Sequence, residues 1–415
     1  MTADSTRASR VIELRGHILD SGIFQRVLET LMDFEGASYS IDEVLPGAHV
    51  DEESYARLTV EAPGSDDLER LLDSLREAGA MPVVDTDAVT EPAPKDGVLP
   101  EHFYATTNFV TEVRINGSWH AADNPEMDCG IVIAGGRPRT VAPSDVRAGD
   151  RVVVGHAGVK VDRPQRSRRR AVFEFMSSAV SSEKPKEQLI IEVARELRRT
   201  LEEGKRVLVV GGPAIVHTGA ARYLADLIRE RYVTALFAGN ALALHDIEAQ
   251  LFGTSLGVRL SDAFPVEEGH SHHLRAVNRI RALGGIKNAI AQGVLRGGVM
   301  YEAFQAQIPI VLAGSIRDDG PLPEVITDVI EAQREMRRFV PEIGMAIMVC
   351  TLLHSIAVGN LLPASCKTIC VDINPASVTK LTDRGSTQTI GLVMDAAGFL
   401  RELRQAVRGE APTPG

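Results

Sequence analysis

The chain has 415 residues, 44% of them hydrophobic and 24% charged, which suits two or three globular domains with ordinary cores. Its net charge of −11 excludes a general nucleic-acid binder, whose affinity comes from neutralising phosphates. Four scattered cysteines, Cys129, Cys350, Cys366 and Cys370, exclude a disulfide framework and read as reduced, buried thiols of a cytoplasmic protein.

Met1 to Arg10 is polar and has no apolar signal segment. Residues 10–90 read as a small α+β module. Val11–Leu14 is a short strand. Asp20 or Ser21 caps a helix with Phe24, Val27, Leu28, Leu31 and Phe34 on one face, and Gly36 ends it. Ala56, Leu58, Val60 and Ala62 alternate with polar residues, as a strand with one buried face does. A second helix opens at Asp66 and carries Leu68, Leu71, Leu72 and Leu75, and Met81–Val84 is a last strand. The order β-α-β-β-α-β is ferredoxin-like.

Asp85 to Pro100, rich in Pro, Asp and Thr, reads as a linker. Residues 101–180 form a small β-rich domain with strands at Phe109–Ile115, Gly130–Ile133 and Arg151–Gly155. Its ionisable residues Asp123, Glu126, Asp128, His156, Lys160 and Glu174 are candidates to line a substrate pocket. The basic run Arg163 to Arg170 lacks interleaved aromatics and reads as a solvated loop, not a nucleic-acid platform.

Residues 186–408 alternate strands and helices. Lys186–Arg199 is an amphipathic helix, and strands follow at Val207–Val210, Val233–Ala238, Ile308–Ala313, Met345–Cys350, Thr368–Asp372 and Ile390–Met394. Such alternation gives a parallel, doubly wound α/β sheet. Ile343–Leu362 is long and apolar, but its glycines and polar residues suit a buried strand and helix rather than a membrane span.

The run Val207 to Gly219 joins a β-branched strand, the pair Gly211-Gly212 and a helix start. It is either a phosphate cradle or a plain β–α turn, since the G-x-G-x-x-G spacing is missing. Ligands of open α/β sheets bind beyond the carboxyl ends of the strands. Those ends carry Gly239-Asn240-Ala241, Gly314 to Gly320, Thr351 to His354, Asp372-Ile373-Asn374 and Asp395-Ala396. A carboxylate at Asp372 suits the two hydroxyls of an adenosine ribose, or caps the next helix, a task Asn374 could share. With no arginine beside it, NAD is favoured over NADP. His270, His272 and His273 have no acid or cysteine at a confirming spacing, so no metal is expected.

Five segments carry a resemblance: Phe237 to Ala243, His245-Asp246-Ile247-Glu248, Gly269 to His273, Ser315 to Pro323 and Val371 to Pro375. With them the chain resembles the LOR/SDH-region family, which includes archaeal ornithine cyclodeaminases and the C-terminal part of cyanobacterial bifunctional arginine dihydrolase/ornithine cyclodeaminases. The resemblance implies a C-terminal nucleotide domain of Rossmann type, similar to that of deoxyhypusine synthase. It implies an NAD-dependent lyase of arginine and proline metabolism, converting L-ornithine to L-proline and ammonia by transient hydride transfer to bound NAD. Carried over by position, the NAD contacts are Asn240, Ala241, Asp319, Thr351, Leu352, Leu353, His354, Asp372, Asp395 and Ala396. No catalytic residue carries over, and Asp128, Lys160 and Glu174 are the candidate bases. A homo-oligomer, dimer or tetramer, is implied. Another NAD-linked amine reaction, of saccharopine or homospermidine type, and an NAD-binding regulator without turnover are the alternatives.

Overall fold

The computed structural model describes residues 7–19, 22–49, 52–82, 86–162, 186–260, 264–266, 268–318, 320–384 and 389–409. The chain divides into two compact units, residues 1–123 with 129–174, and residues 124–128 with 175–415. The basic run Arg163 to Arg170 and the candidates Glu174 and Asp319 lie outside the described residues, as do the expected caps Asp20 and Ser21.

The first unit opens with β1 (Ala8–Gly16), α1 (Ile23–Asp33), β2 (Ser38–Leu45), β3 (Ser54–Ala62), α2 (Ser65–Ala78) and β4 (Met81–Pro82). The sheet order β2-β3-β1-β4 is the ferredoxin-like one. Ile12, Leu14, Leu58 and Val60 from the strands meet Val27, Leu31, Leu71 and Leu75 from the helices in one core. Leu31 follows Val27, and Leu75 follows Leu71, by four residues, so each pair lies on one helix face.

Seven short strands follow: β5 (Val89–Pro92), β6 (Val110–Ile115), β7 (Ser118–Ala121), β8 (Gly130–Ala134), β9 (Arg137–Val141), β10 (Arg151–Val154) and β11 (Val159–Asp162). They make two sheets, ordered β5-β10-β8-β9 and β11-β6-β7. The linker reading of 85–100 is corrected here. Val89–Pro92 pairs antiparallel with Arg151–Val154, and Ala93 just beyond it is buried. Proline is tolerated there because β5 is an edge strand and Pro92 its last residue.

The second unit holds α3 (Lys186–Glu202), β12 (Arg206–Gly211), α4 (Ala214–His217), α5 (Ala221–Arg229), β13 (Ala235–Gly239) and α6 (Asn240–Phe252). A two-strand hairpin, β14 (Thr254–Ser255) and β15 (Val258–Arg259), leads to α7 (His272–Ala282), α8 (Ile286–Ala291) and α9 (Val299–Gln305). Then come β16 (Ile310–Ala313), β17 (Val325–Ile326), α10 (Val329–Phe339), β18 (Ile343–Val349), α11 (Leu352–Leu361), β19 (Lys367–Asp372), α12 (Pro375–Arg384), β20 (Thr389–Val393) and α13 (Ala396–Arg408).

Seven of these strands form one parallel sheet, ordered β17-β16-β13-β12-β18-β19-β20. Counted from β12, this is the 3-2-1-4-5-6 order of a Rossmann sheet with one short edge strand added. Val207 to Val210 and Met345 to Val349 are buried, as strands covered on both faces must be. The apolar stretch 343–362 is a strand and a ten-residue helix, and among the described residues no helix is long and apolar enough to cross a membrane.

Candidate functional site

The strand order reverses between β12 and β18, so the crevice of this sheet opens beyond Gly211 and Val349. The glycine pair there acts by packing. The Gly212 N–H donates to the Val349 carbonyl at 3.0 Å, and a Cβ on Gly212 would stand 2.0 Å from the Cys350 carbonyl oxygen. That amide is therefore committed to the sheet and does not face an anion. Gly239, at the end of β13, is crowded in the same way: an added Cβ would lie 2.8 Å from Cε1 of His354. The ends of β12, β13 and β18 thus touch through two glycines.

On one side of the reversal stand Asn240 and Asp318. Asn240 is buried at the first position of α6. Its Nδ2 donates to Asp318 Oδ1 at 3.2 Å, and its Oδ1 accepts the Leu322 N–H at 3.1 Å. The Ser315 N–H donates to the other oxygen of Asp318 at 2.7 Å, so one side chain fastens the loop after β16 to the end of β13. Burial holds the His354 imidazole below its usual range, with Asp318 partly opposing, and the ring is neutral at pH 7.

On the other side stand the acids. Asp372 Oδ1 accepts the Asn374 N–H at 2.8 Å, and Asn374 Oδ1 in turn accepts the Ala376 N–H at 3.0 Å, so Asn374 caps α12. Asp372 is left with Oδ2 facing no donor among the described residues. Asp395 caps α13 through the Gly398 N–H at 2.8 Å. Burial, then the charges of Asp372 and Asp395, push the Cys350 thiol up to about 12. The thiol is therefore inert at neutral pH. Burial alone raises Cys366 and Cys370 to about 12, slightly offset at Cys366 by Lys367.

Asn240, Ala241, Thr351, Leu352, Leu353, His354, Asp372, Asp395 and Ala396 therefore line up along one edge of one sheet. Two of the three candidate bases, Asp128 and Lys160, are among the described residues. Asp128 accepts from Asn360 Nδ2 at 3.3 Å, at the far end of α11, about 13 Å along the helix from Thr351 at 1.5 Å per residue. Lys160 lies in the other unit, directly across the ladder from Glu112 and paired with it at 3.1 Å. Glu126 is a bidentate partner of Arg337 at 2.8–2.9 Å, a structural tie of the 124–128 segment.

A second polar group, unassembled in the sequence, lies beside the edge. His217, His245, Glu248, Thr254, Ser255, His272 and His273 come together from α4, α6, the β14 segment and α7. Among the described residues no three His, Cys, Asp or Glu side chains are placed to hold a metal ion. The sequence signal was present in His245 to Glu248 and Gly269 to His273; what it could not show was their meeting.

Three family descriptions match residues 9–403 in succession. The LOR/SDH bifunctional enzyme conserved region covers residues 9–109, the first C-terminal region of ArgZ-like arginine dihydrolases covers 110–190, and the Rossmann fold of that region covers 191–403. An ornithine cyclodeaminase of Methanopyrus kandleri is 51% identical over 96% of this chain and 97% of its own length. One from Methanothermobacter thermautotrophicus is 49% identical over 96% and 98%. The crystal structure of a LOR/SDH protein from Methanococcus maripaludis, 47% identical, superposes with a TM-score of 0.73 over 78% of this chain and 98% of that one. The ternary complex of AgrE with ornithine and NAD+, 41% identical, matches 99% of this chain and 59% of that chain with a TM-score of 0.53. The chain belongs to the LOR/SDH-region family of archaeal ornithine cyclodeaminases and ArgZ-like C-terminal regions.

Proposed function

We propose that the chain is an NAD-dependent ornithine cyclodeaminase, converting L-ornithine into L-proline and ammonia. The observation that carries this reading is the row of strand-end residues, in a chain about half identical to proteins of that name. The row fits a dinucleotide on three counts. Asp372 Oδ2, which faces no donor among the described residues, suits a ribose diol. Leu353 and Ile373, 78% and 70% exposed, offer apolar surface that a nucleobase covers. Helix α11 begins at Thr351 with no side-chain cap, which leaves its first N–H groups for a phosphate.

We assign Asn240, Ala241, Asp319, Thr351 to His354, Asp372, Asp395 and Ala396 to NAD, within a domain spanning 186–408 that follows domains at 10–90 and 101–180. When bound, NAD supplies the acceptor for the hydride of the substrate α-carbon and returns it, so the reaction has no net oxidation. The chain's own task is to hold that carbon in place, exclude water and accept the proton of the α-ammonium group. We assign the protein to the cytoplasm, as a homo-oligomer, dimer or tetramer.

The test is incubation with NAD+ and isotope-labelled ornithine. Equal amounts of labelled proline and ammonia, without net accumulation of reduced nicotinamide, are expected. Net reduction with a different amine, or NAD+ binding without turnover of any amino acid, contradicts the proposal.

A further inference from the structure

The polar cluster beside the strand ends is organised around one carboxylate. Glu248 is 0% exposed and accepts four hydrogen bonds, from His245 Nδ1 at 2.8 Å, Thr254 Oγ1 at 2.9 Å, and the Leu256 and Gly257 amides at 3.2 Å each. Leu256 and Gly257 reach it in the left-handed conformation, with φ of 53° and 74°. Gly257 also packs backbone to backbone on Gly269, where an added Cβ would lie 2.5 Å from the Gly269 carbonyl carbon.

These bonds fix protons. Because the Thr254 hydroxyl donates to Glu248, its contact with His272 Nδ1 at 2.9 Å has the imidazole donating. Because His245 Nδ1 donates to Glu248, the other ring nitrogen is left as the acceptor or the second acid. The His217 ring lies edge-on to His245 with centroids 4.8 Å apart, and its Nδ1 meets Ser255 Oγ at 2.7 Å. His273 lies 6.2 Å from His245, and its buried Nδ1 has no partner among the described residues. His217 is half-buried, whereas His245 is buried.

Place and chemistry agree. His217 ends the short helix that follows Gly211 and Gly212, and His245 lies one and a half turns into the helix that Asn240 begins. Both hang from the two strands on the side of the reversal away from Asp372. Were a dinucleotide held by its ribose at Asp372, these two strand ends across the reversal would be left for its other half.

We propose that His217 is the base that takes the proton of the substrate α-ammonium group, with Ser255, His245 and Glu248 as positioning residues. This rests on the ornithine cyclodeaminase reading. The α-ammonium N–H bond breaks and its proton goes to the His217 imidazole. The nitrogen lone pair so freed forms the C=N bond as the Cα–H electron pair leaves as hydride for the nicotinamide ring. The δ-ammonium then gives up a proton, and its nitrogen attacks the C=N carbon. The bond from that carbon to the original α-nitrogen breaks to release ammonia, and the hydride returns to the cyclic C=N carbon. The two protons taken up end on the ammonia and on the proline nitrogen, so ornithine cation gives proline and ammonium. Burial, then the neighbouring His245, hold His217 below its usual range against the pull of Glu248, so it is unprotonated at pH 7. His272 and His273 from α7 and Thr254 from the hairpin complete the cluster through their contacts with Glu248 and His245.

The experiment compares wild type and His217→Gln in five readouts: proline formation, first-turnover reduction of NAD+ by ornithine from pH 5 to 9, NAD+ affinity by calorimetry, thermal unfolding, and histidine ring NMR without NAD+. The variant is expected to keep its NAD+ affinity within about threefold and to lose about 10²–10⁴-fold in first-turnover rate, with the acid limb of the pH profile gone. In the wild type alone, an imidazole signal that titrates below the usual range shifts on adding ornithine. Unchanged rate and acid limb in the variant, with wild type making proline, overturn this inference alone. Loss of NAD+ affinity or of the thermal transition in the variant also overturns it, in favour of a structural role. Absence of proline from wild type overturns the functional reading and the inference together.

Discussion

Two groups of acids in the second unit, one at the carboxyl edge of its sheet and one on helix α6, are built in opposite ways. Asp372 and Asp395 stand at the ends of β19 and β20, each with one backbone partner for Oδ1. Glu248 and Asp246, on α6, are 0% exposed and have both oxygens bonded. A partly exposed carboxylate with an unused oxygen can be satisfied by a ligand. A buried carboxylate surrounded by donors has no valence to offer and shapes the protein around it. Substitutions on the two sides should therefore fail differently, the outer acids in binding and the inner acids in folding.

The largest effect is expected at Glu248. Glu248→Ala leaves the His245 imidazole, the Thr254 hydroxyl and two backbone amides without their acceptor. Urea denaturation should show a loss of about 3–5 kcal/mol, the range for removing one partner of a buried charge network. A loss below about 1 kcal/mol would erase the contrast between the two sides.

Asp246 comes next and sharpens the contrast through pH. Burial raises its pKa from 3.8 to about 6 against the bonds from the Met300 and Val299 amides. A carboxyl whose folded pKa lies above its unfolded one holds its proton more tightly when folded. It therefore adds stability below about pH 4 and loses it as pH rises through 6. Relative to Asp246→Asn, wild type should lose about 3 kcal/mol between pH 4 and 7, from about two pKa units at 1.4 kcal/mol each. Parallel stability curves for the two proteins would contradict the assignment.

The smallest effect belongs to Lys160. Its pair with Glu112 joins two residues directly opposed across neighbouring strands, with the Lys160 side chain 46% exposed. Lys160→Met should change stability by under about 1 kcal/mol and leave proline formation unchanged. A large fall in turnover would return it to the list of candidate bases.

The sheet was legible because its strands are covered on both faces and so read as unbroken apolar runs, as at Val207–Val210 and Met345–Val349. The ferredoxin-like order was legible from Leu58, Val60 and the leucines of α2. Strand β2 has all eight residues exposed and so no alternation to detect. Strand β5 hid in a proline-rich stretch, and β17 is only two residues long. At the site, the strand-end residues could be named because the chain order of an α/β sheet brings them to one edge. The histidine cluster could not. Residues 217, 245, 254 and 272 come from four separate elements, and the turn that brings in the later ones needs Leu256 and Gly257 left-handed and Gly257 resting on Gly269. Nor could the role of Gly212, which depends on the Cys350 carbonyl across the strand-order reversal.

The most direct test of the account is NAD+ affinity in Asp372→Ala, measured by calorimetry alongside thermal unfolding. Asn374 caps α12 by itself, so the fold should hold, with stability within about 1 kcal/mol of wild type. Losing a charge-assisted bond to the ribose should weaken NAD+ binding by about 10- to 100-fold. Unchanged NAD+ affinity in a folded variant would contradict the placement of the dinucleotide along this edge.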